Sequence, residues 1–147
     1  AQLEKHTIKR SYQAIVYNNF TEDEGTVDAP IGRDPSNRLR QAVTYSNSRE
    51  AYTTYRVLER FGRFTLIEAV LKTGRTHQIR VHMAYIKHPL LGDTVYGPKK
   101  ALYGAQGQML HAKTLGFVHP STGEYMEFDS ELPEEFQEIL EKLRRDR

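Results

Sequence analysis

The densest run of polar side chains is Thr73-Gly74-Arg75-Thr76-His77-Gln78-Ile79-Arg80-Val81-His82, set between two apolar stretches. Before it, residues 63–71 alternate as a strand does. After it, Ile79, Met83 and Ile86 recur at helical spacing from His77 to Lys87. A strand-to-helix junction offers unpaired backbone N–H groups and the positive end of a helix dipole, which suit phosphate or carboxylate. Arg75, His77, Gln78 and Arg80 add donors at the same place, and Arg80, one turn in, can lean back toward that mouth. Thr76 is the expected N-cap. Two readings stand on these residues alone: an anion-binding mouth, or solvated arginines beside an ordinary capped helix.

Other chemistries find less support. His77 and His82 lie five apart, so they do not share a helix face as zinc-protease histidines do, and no catalytic Glu stands between them. Asp93, Asp129, Ser121 and His111 or His119 make a hydrolytic triad only on paper, because no glycine-flanked serine elbow exists. No phosphate-binding P-loop or dinucleotide fingerprint occurs, and with no cysteine there is no thiol chemistry or thiolate metal site.

The elements that must position these residues follow from periodicity. Residues 11–18 read as a strand covered on both faces, with Tyr12, Ala14 and Val16 on one side and Ile15 and Tyr17 on the other. A breaker-rich stretch follows, read as a loop with one short strand near Thr26–Ile31. Residues 52–60 and 63–71 form a hairpin about Phe61-Gly62. Residues 92–108 read as a long surface loop, and 109–118 and 124–129 as two more strands. The last helix starts near Pro133, expected in its first turn, and carries a stripe of Phe136, Ile139, Leu140 and Leu143. The order indicates an α+β fold, a mixed and largely antiparallel sheet with flanking helices, in a single domain spanning 1–147.

Composition narrows the partners. Twenty-one Lys and Arg against 19 Asp and Glu leave a net charge of +2, too little for a polycation that coats nucleic acid or membrane. RNA contact must therefore come from a local cluster such as Arg75, Arg80, Lys99, Lys100 and Lys113. No apolar stretch is long enough for a helical membrane span, and a cytoplasmic location is expected.

Beyond single residues, the blocks LKTGRTHQIRVHMAYIKHPLLGDTVYG at 71–97, QMLHAKTLGFVHPSTGEYMEF at 108–128 and LPEEF at 132–136 resemble the RluA-type family of RNA pseudouridine synthases. RSYQAIV at 10–16 and PIGRDP at 30–35 fit the same family in the same order. The resemblance implies an isomerase that converts uridine to pseudouridine in ribosomal or transfer RNA, without metal or organic cofactor, after flipping the base into a pocket. DNA and membrane are not expected partners. It implies that Tyr12 packs on the base, that Arg80 pairs with a nucleophilic Asp, and that Leu115 lines the base pocket. Arg75, Thr76, His77, Gln78, His111 and Lys113 are the expected RNA contacts.

The family's HRLD segment, which holds the nucleophile, would precede RSYQAIV and is not in this sequence. None of Asp23, Asp28, Asp34, Asp93, Asp129 or Asp146 stands in its context. The chain is therefore expected to be the C-terminal portion of a catalytic domain, incomplete on its N-terminal side and inactive alone. The alternative is a non-catalytic RNA-binding remnant of the same fold. Lys87 stands where the family often has Gly, which bears on how the first helix ends.

Overall fold

The computed structural model describes residues 8–147. Its elements, in order, are β1 (Lys9–Tyr17), β2 (Glu24–Asp28), β3 (Ile31–Arg33), β4 (Gln41–Val43), β5 (Ser48–Arg49), β6 (Tyr52–Arg60), β7 (Phe64–Leu71), α1 (Gln78–Tyr85), β8 (Leu110–Val118), β9 (Tyr125–Asp129) and α2 (Glu134–Asp146). Six strands form one sheet in the order β2-β6-β7-β1-β8-β9, and β4-β3-β5 form a second, small one. Among the described residues every strand pairing is antiparallel, so the α+β, largely antiparallel expectation holds and no parallel pair makes the sheet mixed.

The central strand β1 is buried on both faces, as its alternation requires. Ala14 and Val16 enter a core with Ile67, Ala69, Ile79 and Met83, where α1 packs, and Tyr12 lies against it. Ile15 enters a second core with Phe64, Leu66 and the Phe136, Ile139, Leu140 and Leu143 stripe of α2. Each buried Val, Ile, Leu, Phe or Met among these contributes about 1.5–3 kcal/mol. Pro133 is the N-cap of α2 rather than a residue of its first turn.

The small sheet departs from expectation. The single strand foreseen near Thr26–Ile31 is two, β2 and β3, interrupted at Ala29-Pro30 because proline cannot donate to a ladder. Strands of two and three residues carry no readable period and would not hold alone. Ile31 and Ala51, with Val43, pack on Val81 and Tyr96, so this sheet is fastened to the side of α1 opposite the large one.

Candidate active site

The junction before α1 is built differently from the sequence reading. His77, not Thr76, is the N-cap, in the left-handed region at φ 55°, with no side-chain cap bond. The Gln78 side chain instead ties the start of the helix to the chain before it and to β6. Its Oε1 accepts from the Arg75 N–H at 3.0 Å and the Thr73 hydroxyl at 2.8 Å, while its Nε2 donates to Tyr52 O at 3.0 Å and Thr53 Oγ1 at 2.8 Å. All four hydrogen-bonding positions of the amide are used inside the protein, so Gln78, which is buried, is corrected from RNA contact to structural clamp. Part of the expected anion mouth is closed with it, because the Arg75 N–H is already paired.

His82 continues the same network. Its Nδ1 lies 2.8 Å from the Thr53 hydroxyl and its Nε2 2.8 Å from Ala29 O, which fits a neutral ring donating to the carbonyl and accepting from the hydroxyl. Burial pushes the imidazole below its ordinary 6.5, outweighing the Ala29 carbonyl.

Arg80 does not lean into the mouth. Its Nε and Nη2 donate to the two carboxylate oxygens of Asp93 at 2.8 and 3.0 Å, a bidentate pair. The Arg80 side chain is 11% exposed and that of Asp93 is 0% exposed. Burial would raise the Asp93 carboxyl, but Arg80 and the N–H groups of Tyr96 and Val95 together hold it below its ordinary value. The loop that carries Asp93 is fixed by Gly92, at φ 83°, where a Cβ would run into Gly107 O. The Arg80 guanidinium also lies 4.9 Å from the centre of the Tyr96 ring, and Tyr96 Oη is 2.8 Å from His77 Nδ1. Nη1 is the guanidinium nitrogen that Asp93 leaves over.

Tyr12 and Leu115, distant in sequence, meet at one cavity of about 330 Å³ on the β1-β8-β9 part of the sheet, which Arg10 and Phe128 also line. Leu115 pairs with Arg10 on one side and Phe128 on the other, so these three share a sheet face. Leu115 is 46% exposed and Phe128 52%, an apolar floor open to solvent. Arg80 is not among the residues lining this cavity. Arg10, which sequence reasoning missed, reaches over Gly74, where a Cβ would come within 2.6 Å of its Nη1. Its Nε is buried with no partner among the described residues. The signal was available: an arginine two residues before a strand Tyr lies on the same face.

The remaining expected RNA contacts divide. Arg75, held by Nε to Glu50 O, and the exposed Thr76 line a second groove. His77 is exposed but tied to Tyr96. His111 is half-buried with its Nε2 shielded from solvent, and Lys113 is bound to Asp129 and to Ser130 O. Lys99 is spent on Thr94 O. Two of the five cations foreseen for phosphate, Arg80 and Lys113, are thus neutralised by carboxylates within the fold.

Comparison with known proteins decides the family. The RNA pseudouridylate synthase profile matches residues 1–85. The chain is 53% identical over 144 residues to the uncharacterized RNA pseudouridine synthase YlyB of Bacillus subtilis, across 98% of this chain and 47% of that protein. This chain belongs to the RNA pseudouridylate synthase family. A ribosomal large subunit pseudouridine synthase D from Xanthomonas campestris is 44% identical over 157 aligned positions, covering 99% of this chain and 47% of the relative. The chain thus spans about half the length of the curated synthases it matches. Among solved structures, human RNA pseudouridylate synthase domain containing 1 superposes with a TM-score of 0.75 at 23% identity, over 96% of this chain and 67% of that one, a likeness of fold. Among the described residues, no helix is long and apolar enough to cross a membrane, and no three His, Cys, Asp or Glu side chains cluster as metal ligands.

Proposed function

We propose that the protein of which this chain is part isomerises uridine to pseudouridine in structured ribosomal or transfer RNA, and that residues 1–147 are the C-terminal portion of its catalytic domain. The observation that carries the reading is the meeting of Tyr12 and Leu115 at one apolar-floored cavity in a chain of this family. A uracil flipped from the RNA stacks on Tyr12 and lies against Leu115, leaving the hydrogen-bonding edge of the base to polar groups such as Arg10. The reaction breaks the bond from ribose C1′ to N1 and forms one from C1′ to C5; C5 loses a proton and N1 gains one. The nucleophilic Asp is supplied from outside this chain; inside it, Asp34 and Asp93 are each committed to an arginine, Arg40 and Arg80.

Arg80 then serves the nucleophile through Nη1, with Asp93 fixing the plane of the guanidinium. The location is cytoplasmic, with the RNA. Nuclease digestion and chromatography of RNA incubated with the full-length protein tests the activity: a pseudouridine peak at the expense of uridine is expected, without added metal. Tight RNA binding with no such peak would instead establish the non-catalytic remnant.

A further inference from the structure

Residues 29–50, which carry the small β4-β3-β5 sheet, contain Arg33, Arg38, Arg40 and Arg49 against Asp34 and Glu50. That segment accounts for the whole net charge of the chain, +2. Asp34 is already committed: Arg40 Nε lies 2.8 Å from it, and chiefly that bond, with those from Ser36, holds its carboxyl down at about 2. Among the described residues, Arg33, Arg38, Arg49 and the adjacent Arg75 form no salt bridge. A groove of about 460 Å³ runs between Arg33, Arg49 and Arg75, and a second of about 330 Å³ between Arg33 and Arg38. Both include Asn47, so they form one basic track.

Two exposed apolar side chains neighbour its lining residues in sequence. Leu39, beside Arg38, is 95% exposed and Tyr45, beside Ser46 of the second groove, is 81% exposed. They are the most exposed large hydrophobics among the described residues. Guanidinium forks at intervals suit successive phosphates, and a projecting phenol ring suits the face of an unstacked base. A duplex, whose bases are stacked, would leave Tyr45 unused.

We infer that the small sheet is a docking arm for the unpaired RNA strand flanking the target uridine, with Arg33, Arg38, Arg49 and Arg75 on phosphates and Tyr45 stacked on a base. The inference rests on the synthase reading for the identity of that strand. The arm is fixed relative to the candidate site, since the Gln41 N–H donates to Tyr96 Oη at 3.0 Å and the Tyr96 ring lies under Arg80. Gly74 of the Arg33–Arg49–Arg75 groove lies against Arg10 of the cavity, so a strand held on the arm is held beside the cavity.

The test is titration of the full-length protein with a short fluorescein-labelled oligouridylate and with a G·C RNA duplex, at several salt concentrations. Changing Arg33, Arg38 and Arg49 together to Gln is expected to lower the slope of log affinity against log salt by about 2 for the single strand, at about 0.7 per phosphate contact. The triple Lys variant should keep the slope, and unchanged thermal melting of both variants shows the fold intact. Tyr45→Ala should weaken oligouridylate about 5- to 150-fold and leave the duplex unaffected. An unchanged slope in the Gln variant overturns the arm. So does equal weakening of both RNAs by Tyr45→Ala, or tighter binding of an oligoglutamate peptide than of oligouridylate at matched salt. Pseudouridine formation by the unaltered protein is scored separately: its absence with a lowered slope refutes the synthase reading and leaves the arm standing.

Discussion

Replacing Asp93 with Asn should be among the most damaging single changes to the fold. Asp93 is fully buried and accepts from Arg80 Nε at 2.8 Å and Nη2 at 3.0 Å, and from the N–H groups of Val95 and Tyr96, each at 3.1 Å. Asn keeps one oxygen for the two backbone donors but turns an amide NH₂ toward a guanidinium that is only 11% exposed. Stranding one member of a buried ion pair costs about 3–5 kcal/mol, against a total stability of about 5–15 kcal/mol for a protein domain. A melting temperature lower by about 6–20 °C is the expected size. Because the folded carboxyl lies below its unfolded value of 3.8, the pair's contribution is present above that value and is lost as pH falls through the folded one. The Asn variant should therefore show a flatter loss of stability with acid. Urea denaturation followed by circular dichroism at neutral and acidic pH measures both effects. The double change Arg80→Met with Asp93→Leu should recover most of the loss, since an apolar pair of similar volume needs no compensating charge. A cost below about 1 kcal/mol for Asp93→Asn would mean that solvent screens the pair, and the argument from burial would be refuted.

Gln78→Glu should destabilise by about 2–5 kcal/mol, because a carboxylate cannot donate to Tyr52 O or Thr53 Oγ1; an RNA-contacting Gln78 would instead show normal melting and weaker binding. Lys87 sits at φ 71° just after α1, so Lys87→Gly should raise stability by about 1 kcal/mol, read from the urea midpoint. The lowered pKa of buried His82 means that the unfolded chain takes up a proton below 6.5 that the native ring resists, so stability falls as pH drops below that value. His82→Gln should flatten this dependence, and the slope that remains belongs in part to His77, whose exposed imidazole is also lowered, by the partial desolvation of its ring and then by Arg80. Arg80→Ala in the full-length protein should cut the single-turnover rate at saturating enzyme much more than RNA affinity; the reverse pattern would place Arg80 on the docking surface.

Where the chain alternates strongly, sequence and structure agree: β6 and β7 occupy 52–60 and 64–71, and both faces of β1 pack as its two residue sets require. The small sheet was not legible because strands as short as β5 have no period to read, and what holds them is Val81 on a helix far along the chain. Thr76 is the reasonable cap by residue type, but the N-cap is His77, with no side-chain cap bond, and the Gln78 amide reaches back to the Arg75 N–H, which lies before the helix. Arg80 was singled out from its block, yet its partner Asp93 lies 13 residues on, across a bend at Gly92, and no local pattern joins them. Tyr12 and Leu115 came from the resemblance alone, and only the β1-β8 register shows that they meet at one cavity.

On the proposed reading, this chain forms one wall of a uridine-isomerising pocket whose nucleophile lies outside it. Release of tritium from RNA labelled at uracil C5 reads the reaction itself, because C5 gives up its hydrogen when it bonds to the ribose. The full-length protein should release tritium from ribosomal or transfer RNA with chelator present, and the 147-residue chain should release none. Release by the chain alone, abolished by Asp34→Asn or Asp93→Asn in a variant that still folds, would contradict the account by placing the nucleophile inside it.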